Sequence, residues 1–421
     1  MKIGIIGGGT VATGVVKVLT EKKAHFYSKY GFELEIKKIS VKNLEKQRHE
    51  YFEKIEVNNN PESLVNDPEI DIIVELIGGT EPAKDLILSA LKNKKHVVTA
   101  NKELIAKHGK ELFDVAKENN VFLNIEASVA GGIPIIQTLK HGLNANKINK
   151  MIGIINGTTN YILTEMTQKK RDFFEVLQEA QKLGYAETDP TADIEGYDVM
   201  YKLSILSFLA FDKHLDYNEI YREGISNITV KDIDFAEKMG YVIKLLAIAK
   251  QDDNNYEVRV HPAMIPKKHP LASVNGSFNA IWLNGDCTGD FMLYGRGAGE
   301  LPTASAVVSD IISIVTEMKN NSSIFDNKET IKISNIENIV SKYYLRIETD
   351  DKTGIIGIIG KDLGDSEISI GTLWQEKTEN NNAEIVIITH PVSEKNMQKA
   401  LALLKNSAGI KKISSIIRVE D

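Results

Sequence analysis

The sequence predicts an α/β fold built on a doubly wound parallel sheet, and three observations predict it. Residues 2–6 alternate and end in a glycine turn, Gly7-Gly8-Gly9, the pattern of a buried first strand. The segment 10–23 then carries Val11, Val15, Val18 and Leu19 at helical spacing. Strand and helix patterns alternate from there to residue 125, the arrangement that builds a parallel sheet covered by helices.

In chain order, residues 33–41 read as the second strand. Residues 71–77, Asp-Ile-Ile-Val-Glu-Leu-Ile, read as another and end in Gly78-Gly79-Thr80. A helix over 82–93, a strand over 95–99, a helix over 103–119 and a strand over 121–125 complete this part. The middle of the chain reads as an α+β domain with an open sheet. Its strands fall at 148–155, 256–265, 279–285 and 288–294, and its helices near 134–144, 157–169, 171–183, 195–210 and 231–250. After Pro302 the segment 301–319 is helical, with Val307, Ile311, Ile314, Val315 and Met318 forming an apolar stripe. The polar run Lys319-Asn320-Asn321-Ser322-Ser323 begins a linker. Beyond it, strands at 342–349, 366–377, 383–390 and 412–419 with helices near 354–364 and 393–407 give the order β-α-β-β-α-β, a ferredoxin-like unit. The expected domains are 1–125, completed by the helix 301–319, then 126–300, then 340–421.

Composition narrows the function classes. A length of 421 residues calls for two or three domains, and 42% hydrophobic with 26% charged residues is ordinary for a globular chain. The net charge of −7 is spread over many Lys and Glu, which argues against a nucleic-acid surface. Cys287 stands alone, so neither an intrachain disulfide nor a thiolate metal cluster is expected. The chain begins directly in a strand pattern without a signal peptide, and no apolar run reaches the roughly 18 residues of a membrane span. A reducing compartment, the cytoplasm, is expected.

Gly7-Gly8-Gly9-Thr10-Val11-Ala12 fits the fingerprint G-x-G-x-x-G/A of a Rossmann-type nucleotide fold, with Gly7, Gly9 and Ala12 in the small positions. Gly7 permits the turn, Gly9 lets a pyrophosphate approach the backbone, and Ala12 keeps the helix close to the sheet. The helix N-terminus adds amide donors and a favourable dipole. The second strand ends Ile39-Ser40-Val41-Lys42-Asn43 with Lys46 and Arg48 behind it, and the usual ribose-binding acid is absent. A cation there pairs with a 2′-phosphate, which favours NADP over NAD. The other reading of Lys42 is a solvated surface lysine.

Val98-Thr99-Ala100-Asn101-Lys102 follows a strand and opens a helix, so Lys102 sits at the carboxyl end of the sheet, where such folds bind ligands. A second constellation runs Gly184-Tyr185-Ala186-Glu187-Thr188-Asp189-Pro190, then Asp193, Glu195, Asp198 and Lys202. Asp198 and Lys202 share a helical face at i,i+4. Spacing alone fits an exposed ion pair, whereas the apolar companions Leu203, Leu206 and Leu209 turn Lys202 toward a buried cleft, where an ammonium needs Asp198 or Asp193 as its partner. Glu187 and the other acids can receive the amino group of an amino-acid substrate.

Together these segments resemble homoserine dehydrogenases over essentially the whole chain. The matching stretches are Gly7-Gly8-Gly9-Thr10-Val11, Glu75-Leu76-Ile77-Gly78-Gly79, Thr99-Ala100-Asn101-Lys102, Glu126 to Pro134, Asn156-Gly157-Thr158-Thr159-Asn160-Tyr161-Ile162, and Gly184 through Lys202. The resemblance implies an NAD(P)-dependent interconversion of homoserine and aspartate semialdehyde in threonine, methionine and isoleucine biosynthesis. It makes Lys202 the acid/base residue, with Lys102 beside nicotinamide and substrate and with Asp193 and Asp198 positioning the substrate and Lys202. Glu187 would bind the substrate amine, and Gly157, Thr158 and Tyr185 would line the amino-acid pocket. Cofactor contacts are expected at Gly7, Gly9, Thr10, Val11, Lys42, Thr80, Lys102 and Gly299. A monovalent cation, sodium, would be held by Glu126 and by backbone oxygens at Val129, Gly131 and Ile133. The middle domain would serve catalysis and dimerisation through its sheet, giving a homodimer or homotetramer.

The closing segment is similar to an ACT domain in Tyr344-Leu345-Arg346-Ile347 and in Asp351-Lys352-Thr353-Gly354-Ile355-Ile356, with Thr353 where proline is common. That similarity implies either feedback inhibition by threonine or a structural pairing module. Two competing functions are a different amino-acid or semialdehyde dehydrogenase on the same scaffold, and a non-catalytic nucleotide sensor with an ACT module. The first should lack the joint set Glu187, Asp193, Asp198 and Lys202, and the second needs neither Lys102 nor Lys202.

Overall fold

The computed structural model describes residues 1–253, 255–318, 332–377 and 382–420. The expected linker at 319–323 lies outside the described residues. Two compact units interleave along the chain. The first takes Met1–Met151, Asp198–Glu219 and Phe278–Ile331, and the second takes Ile152–Tyr197, Ile220–Ser277 and Lys332–Asp421.

In the first unit a six-stranded sheet runs in the order Glu56–Asn58, Glu35–Ser40, Lys2–Ile6, Ile72–Glu75, His96–Thr99, Leu123–Asn124. Every neighbouring pair is parallel. The central strands are covered on both faces, so they are buried without the alternation expected of residues 2–6. The winding direction reverses between Lys2–Ile6 and Ile72–Glu75, and this reversal opens a crevice above Ile6 and Glu75. The helices Thr10–Glu21, Ala83–Lys92 and Lys102–Glu118 fall where periodicity places them. The strand Glu56–Asn58 and the helix Lys23–Tyr30 carry too short or too polar a pattern to be read from sequence. The helix Glu300–Glu317 joins the same core, packing Ala304, Val307 and Ile311 with Val15, Val16 and Ala12. An antiparallel hairpin, Phe278–Gly285 with Gly289–Arg296, also belongs to this unit.

The second unit corrects one expectation. The helix expected over 231–250 stops at Lys238, and Tyr241–Asp252 is a strand paired antiparallel with Asn255–Pro266. The helix opens with a reciprocal cap between Thr229 and Asp232 and ends before Gly240, whose φ is +84°. Residues 243–249 are buried without alternation, so the strand carried no period of two to separate it from a buried helix.

The strand Asn255–Pro266 also pairs in parallel with Ile410–Val419, through Ala263 opposite Arg418 and Met264 opposite Val419. From there the sheet continues antiparallel through Val340–Asp350, Asn382–Thr389 and Ile370–Lys377. The helices Ile355–Gly364 and Glu394–Leu404 pack on these strands through Ile359, Leu363, Met397, Ala400 and Leu404, and the two-residue strand Val392–Ser393, paired with Val340 and Ser341, is added to the expected β-α-β-β-α-β order. Buried ion pairs tie this segment to the rest of its unit. Arg346 bonds Asp232 at 2.8 Å and Glu384 at 2.6 Å. Arg418 bonds Glu394 and Glu223, each at 2.9 Å. Arg259 bonds Glu420. Among the described residues no helix is long and apolar enough to cross a membrane.

Candidate active site

The glycine loop lies at the crevice of the parallel sheet. Gly7 donates its N–H to Ser40 O at 2.8 Å and has φ +118°, and a Cβ there would lie 2.8 Å from the Leu76 carbonyl oxygen. A Cβ at Gly9, by contrast, would meet nothing within 4 Å. Gly9 is the N-cap of Thr10–Glu21 and gives that helix no side-chain cap, so the amides of Thr10 and Val11 begin a helix whose positive end faces open space. Ala12 is buried against the sheet. Lys42 is exposed at the end of its strand. Arg48 reaches back toward the loop: its Nε would be 3.0 Å from a Cβ on Gly8, and its guanidinium donates to Lys46 O at 2.8 Å and to Asn43 O. That Nε is buried and has no hydrogen-bond partner among the described residues.

A buried carboxylate organises the next part of the crevice. Glu75 ends its strand and accepts bonds from Ile77 N at 2.8 Å, Gly78 N at 3.2 Å and Thr99 Oγ1 at 2.5 Å. Burial pushes its carboxyl above the usual carboxylate range. Asn101 then accepts Leu104 N as the cap of Lys102–Glu118 and donates to Gly79 O at 2.6 Å. The loop leading to Thr80 and the start of the helix bearing Lys102 are thus fixed by one network.

Lys102 and Lys202 meet on a single carboxylate. Lys102 Nζ lies 2.8 Å from Asp198 Oδ1, and Lys202 Nζ lies 2.7 Å from Asp198 Oδ2. The Asp198 side chain is 6% exposed, Lys202 12% and Lys102 40%. The i,i+4 pair is therefore sheltered, as the apolar companions on its helix required, and Lys102 is the more open of the two cations.

The other residues expected to meet the substrate lie in the second unit. Asn156 caps Gly157–Lys169 by accepting Thr159 N at 2.8 Å, and its amide donates to Asp193 Oδ1 at 2.6 Å. Thr158 Oγ1 donates to Tyr185 O at 2.6 Å, and the Tyr185 ring packs 4.7 Å from that of Tyr161. Gly157 fits closely against Ser277, whose carbonyl would be 2.9 Å from an added Cβ. Glu187 is exposed in an open cleft of about 520 Å³ lined by Gln181, Ala186, Thr188 and Asp189. Glu195, from the same stretch, bonds Ser226 instead.

Glu126 is buried, and its two oxygens accept Ile136 N at 2.9 Å and Gln137 N at 2.7 Å. Burial pushes its carboxyl up to about 7, and burial together with the Glu126 charge raises that of the adjacent Asp310, which accepts Glu126 N at 2.8 Å. The following turn places Ala130 and Gly131 at positive φ, with Gly131 against Gly297 O. The Ile133 carbonyl accepts Ile135 N, whereas no hydrogen bond reaches the carbonyls of Val129 or Gly131 among the described residues. The described residues hold no group of three His, Cys, Asp or Glu able to bind a metal. Gly299, at φ +120°, opens the helix Glu300–Glu317.

Comparison with known proteins agrees along the chain. Residues 7–126 match the family model described as homoserine dehydrogenase, NAD binding domain, and residues 134–312 match that described as homoserine dehydrogenase. A homoserine dehydrogenase of Synechocystis sp. is 43% identical over 100% of this chain and 99% of its own. The chain belongs to the homoserine dehydrogenase family. A Bacillus subtilis homoserine dehydrogenase is 40% identical over 100% of this chain and 98% of its own. The crystal structure of a homoserine dehydrogenase from Thiobacillus denitrificans superposes with a TM-score of 0.96 at 42% identity, covering 100% of this chain and 98% of that one. A hyperthermophilic archaeal homoserine dehydrogenase in complex with NADPH superposes with a TM-score of 0.63 at 27% identity, over 75% of this chain and 98% of that one.

As a homoserine dehydrogenase the chain is an oxidoreductase with an NAD-binding domain. Several residues that shape these sites escaped sequence reading. Gly14 lets the helix Thr10–Glu21 touch Glu300 O, where a Cβ would fall at 2.7 Å. A glycine inside a strongly periodic helix was the available signal. Asn156 stood in a matched motif, but its bond to Asp193 depends on tertiary contact. Asp310 meets Glu126 across 184 positions, a pairing with no local signature.

Proposed function

We propose that this enzyme interconverts L-homoserine and L-aspartate 4-semialdehyde with NADP, or NAD, as hydride carrier, in the supply of threonine, methionine and isoleucine. The observation that carries the assignment of roles is the convergence of Lys102 and Lys202 on Asp198. When bound, the nicotinamide supplies or accepts the hydride. The open face at Gly9 and the uncapped amides of Thr10 and Val11 suit its pyrophosphate, and Lys42, Thr80, Lys102 and Gly299 complete the cofactor contacts. Arg48 with Lys42 favours a 2′-phosphate, hence NADP.

In the reducing direction Lys202 delivers a proton to the carbonyl oxygen as the hydride reaches the carbon. In the oxidising direction it takes the hydroxyl proton. Lys102 places a second positive charge beside the developing alkoxide, and Asp198 orients both ammonium groups. Glu187 receives the substrate amine, and Asp193, held by Asn156, helps to orient the substrate. The substrate carboxylate binds at the N-terminus of Gly157–Lys169 on Gly157 and Thr158, with Tyr185 closing the pocket.

A monovalent cation, sodium, suits the turn after Glu126: a buried carboxylate and the carbonyls of Val129 and Gly131, together with Ile133, offer the hard oxygen donors it needs. The β-α-β-β-α-β segment serves as an ACT-type module that binds threonine and lowers activity. Its first helix follows Gly354 in the left-handed conformation, at φ +91°. The enzyme works in the cytoplasm as a homodimer or homotetramer.

The test is homoserine oxidation by the purified enzyme with NAD and NADP in separate assays, each with and without threonine and sodium. Turnover of homoserine with NADP preferred is expected. Turnover of another amino alcohol in its place would overturn the substrate assignment, and no response to threonine in rate or thermal stability would overturn the effector.

A further inference from the structure

Lys244 is a buried cation that the reaction described above does not use. It lies on the strand Tyr241–Asp252 and is 3% exposed. Its ammonium donates to Asn160 Oδ1 at 2.9 Å, to Val274 O at 2.5 Å and to Asn275 Oδ1 at 3.3 Å. Three protons thus meet three neutral oxygens. Burial draws its pKa down to about 8, which still leaves it charged at neutral pH.

The partners matter because of what they hold. Asn160 is on the first turn of Gly157–Lys169, the helix whose N-terminus carries Gly157 and Thr158. Its amide also donates to Val274 O at 3.1 Å, and Thr164 of the same helix accepts Gly276 N at 3.0 Å. The loop 274–277 is thereby clasped along the helix, and at its end Ser277 O abuts Gly157. Lys244 sits at the centre of this clasp. An ammonium buried among neutral oxygens is costly, and an apolar side chain of similar length would fill the space more cheaply. A fixed positive charge behind the first turn of a helix strengthens the potential with which that helix end attracts an anion.

We propose that Lys244 is a positioning residue for the substrate's α-carboxylate: it locks the loop 274–277 to the first turn of Gly157–Lys169 and adds a buried charge behind the amides that receive the anion. This rests on the reading of Gly157 and Thr158 as the carboxylate pocket. Lys244 itself touches neither substrate nor cofactor.

The experiment compares Lys244→Met, Lys244→Arg, Asn275→Ala and Thr158→Val in the full-length enzyme, measuring kcat and separate KM values for homoserine and NADP. Lys244→Met is expected to raise KM for homoserine roughly tenfold while KM for NADP stays within about twofold, and Lys244→Arg is expected to recover most of that loss. Asn275→Ala keeps the charge and removes one exposed acceptor, so it should raise KM for homoserine about twofold to threefold. An unchanged homoserine KM in folded Lys244→Met, or equal rises in both KM values, overturns the proposal. If Lys244→Met does not fold, an unchanged homoserine KM in Asn275→Ala overturns it. Thr158→Val breaks the bond by which Thr158 holds Tyr185, the residue that closes the pocket, and so separates the two readings. No effect there removes the pocket assignment itself, whereas an effect there without one at Lys244 or Asn275 removes only the role of Lys244.

Discussion

Lys102 and Lys202, far apart in the chain, hold opposite oxygens of the Asp198 carboxylate at 2.8 and 2.7 Å. Under the proposed roles, two ammonium groups fixed on one carboxylate stand ready for the substrate oxygen that carries alkoxide charge in the transition state. Replacing Lys202 with Ala is expected to lower kcat by roughly 10²–10⁴-fold, and Lys102→Ala should lower it strongly as well. Cofactor binding, followed by nicotinamide fluorescence, should remain measurable in both. Near-normal turnover in both variants would remove the catalytic role.

Gly7 and Gly9 should separate folding from binding. A methyl group at Gly7 meets the Leu76 carbonyl at 2.8 Å in a backbone with φ +118°, so Gly7→Ala should cost about 1–3 kcal/mol of stability. A methyl group at Gly9 meets no protein atom, so Gly9→Ala should melt like the parent yet bind NADP roughly tenfold more weakly. Thermal melts paired with cofactor titrations read both. Unaltered NADP affinity in Gly9→Ala would mean that the pyrophosphate lies elsewhere.

Arg48 is the residue to change for cofactor choice. Its guanidinium braces the turn after the second strand and reaches Gly8. In Arg48→Met, KM for NADP should rise about tenfold and KM for NAD by less than about twofold, because only the former carries the 2′-phosphate. Parallel rises would assign Arg48 to the loop's shape alone.

His261 gives the second unit an acid limit. Its Nε2 accepts a bond from Arg259 Nε at 3.0 Å while Nδ1 contacts Pro262 O at 2.9 Å, an arrangement that requires the neutral ring. Burial, with Arg418 and Arg259 nearby, holds its pKa well below the ordinary 6.5. The unfolded chain therefore binds this proton more readily than the folded one. The stability is fully present above about pH 6.5 and falls on acidification below it, by at most about 1.4 kcal/mol per pH unit. Urea unfolding between pH 7.5 and 5.5 should show the loss, and His261→Gln should show a shallower one. Identical slopes would exclude His261 as a contributor.

Apart from the edge strand Glu56–Asn58, the parallel sheet was legible because glycine, periodicity and strand length agreed. The 231–250 segment failed for a physical reason: a strand buried on both faces has the same apolar continuity as a core helix, and only pairing with Asn255–Pro266 distinguishes them. At the site, Asp198 and Lys202 could be placed on one face from spacing, but their shelter came from apolar neighbours and their third partner, Lys102, from tertiary structure. The turn after Glu126 left no side-chain signature, since backbone carbonyls look alike in every sequence. Lys244 was silent for a related reason. Its three acceptors, Asn160, Val274 and Asn275, come from two separate segments.

The final strand is a structural member of its neighbour. Arg259 is 1% exposed, and Glu420 is one of its two carboxylate partners, while Arg418 reaches Glu223 and Tyr221. Grafting the corresponding segment from a relative onto this enzyme would have to carry matching residues at 418 and 420. A splice that ignored them would leave a guanidinium short of a counter-charge inside the sheet, and the chimera would fail in assembly whatever the grafted segment binds.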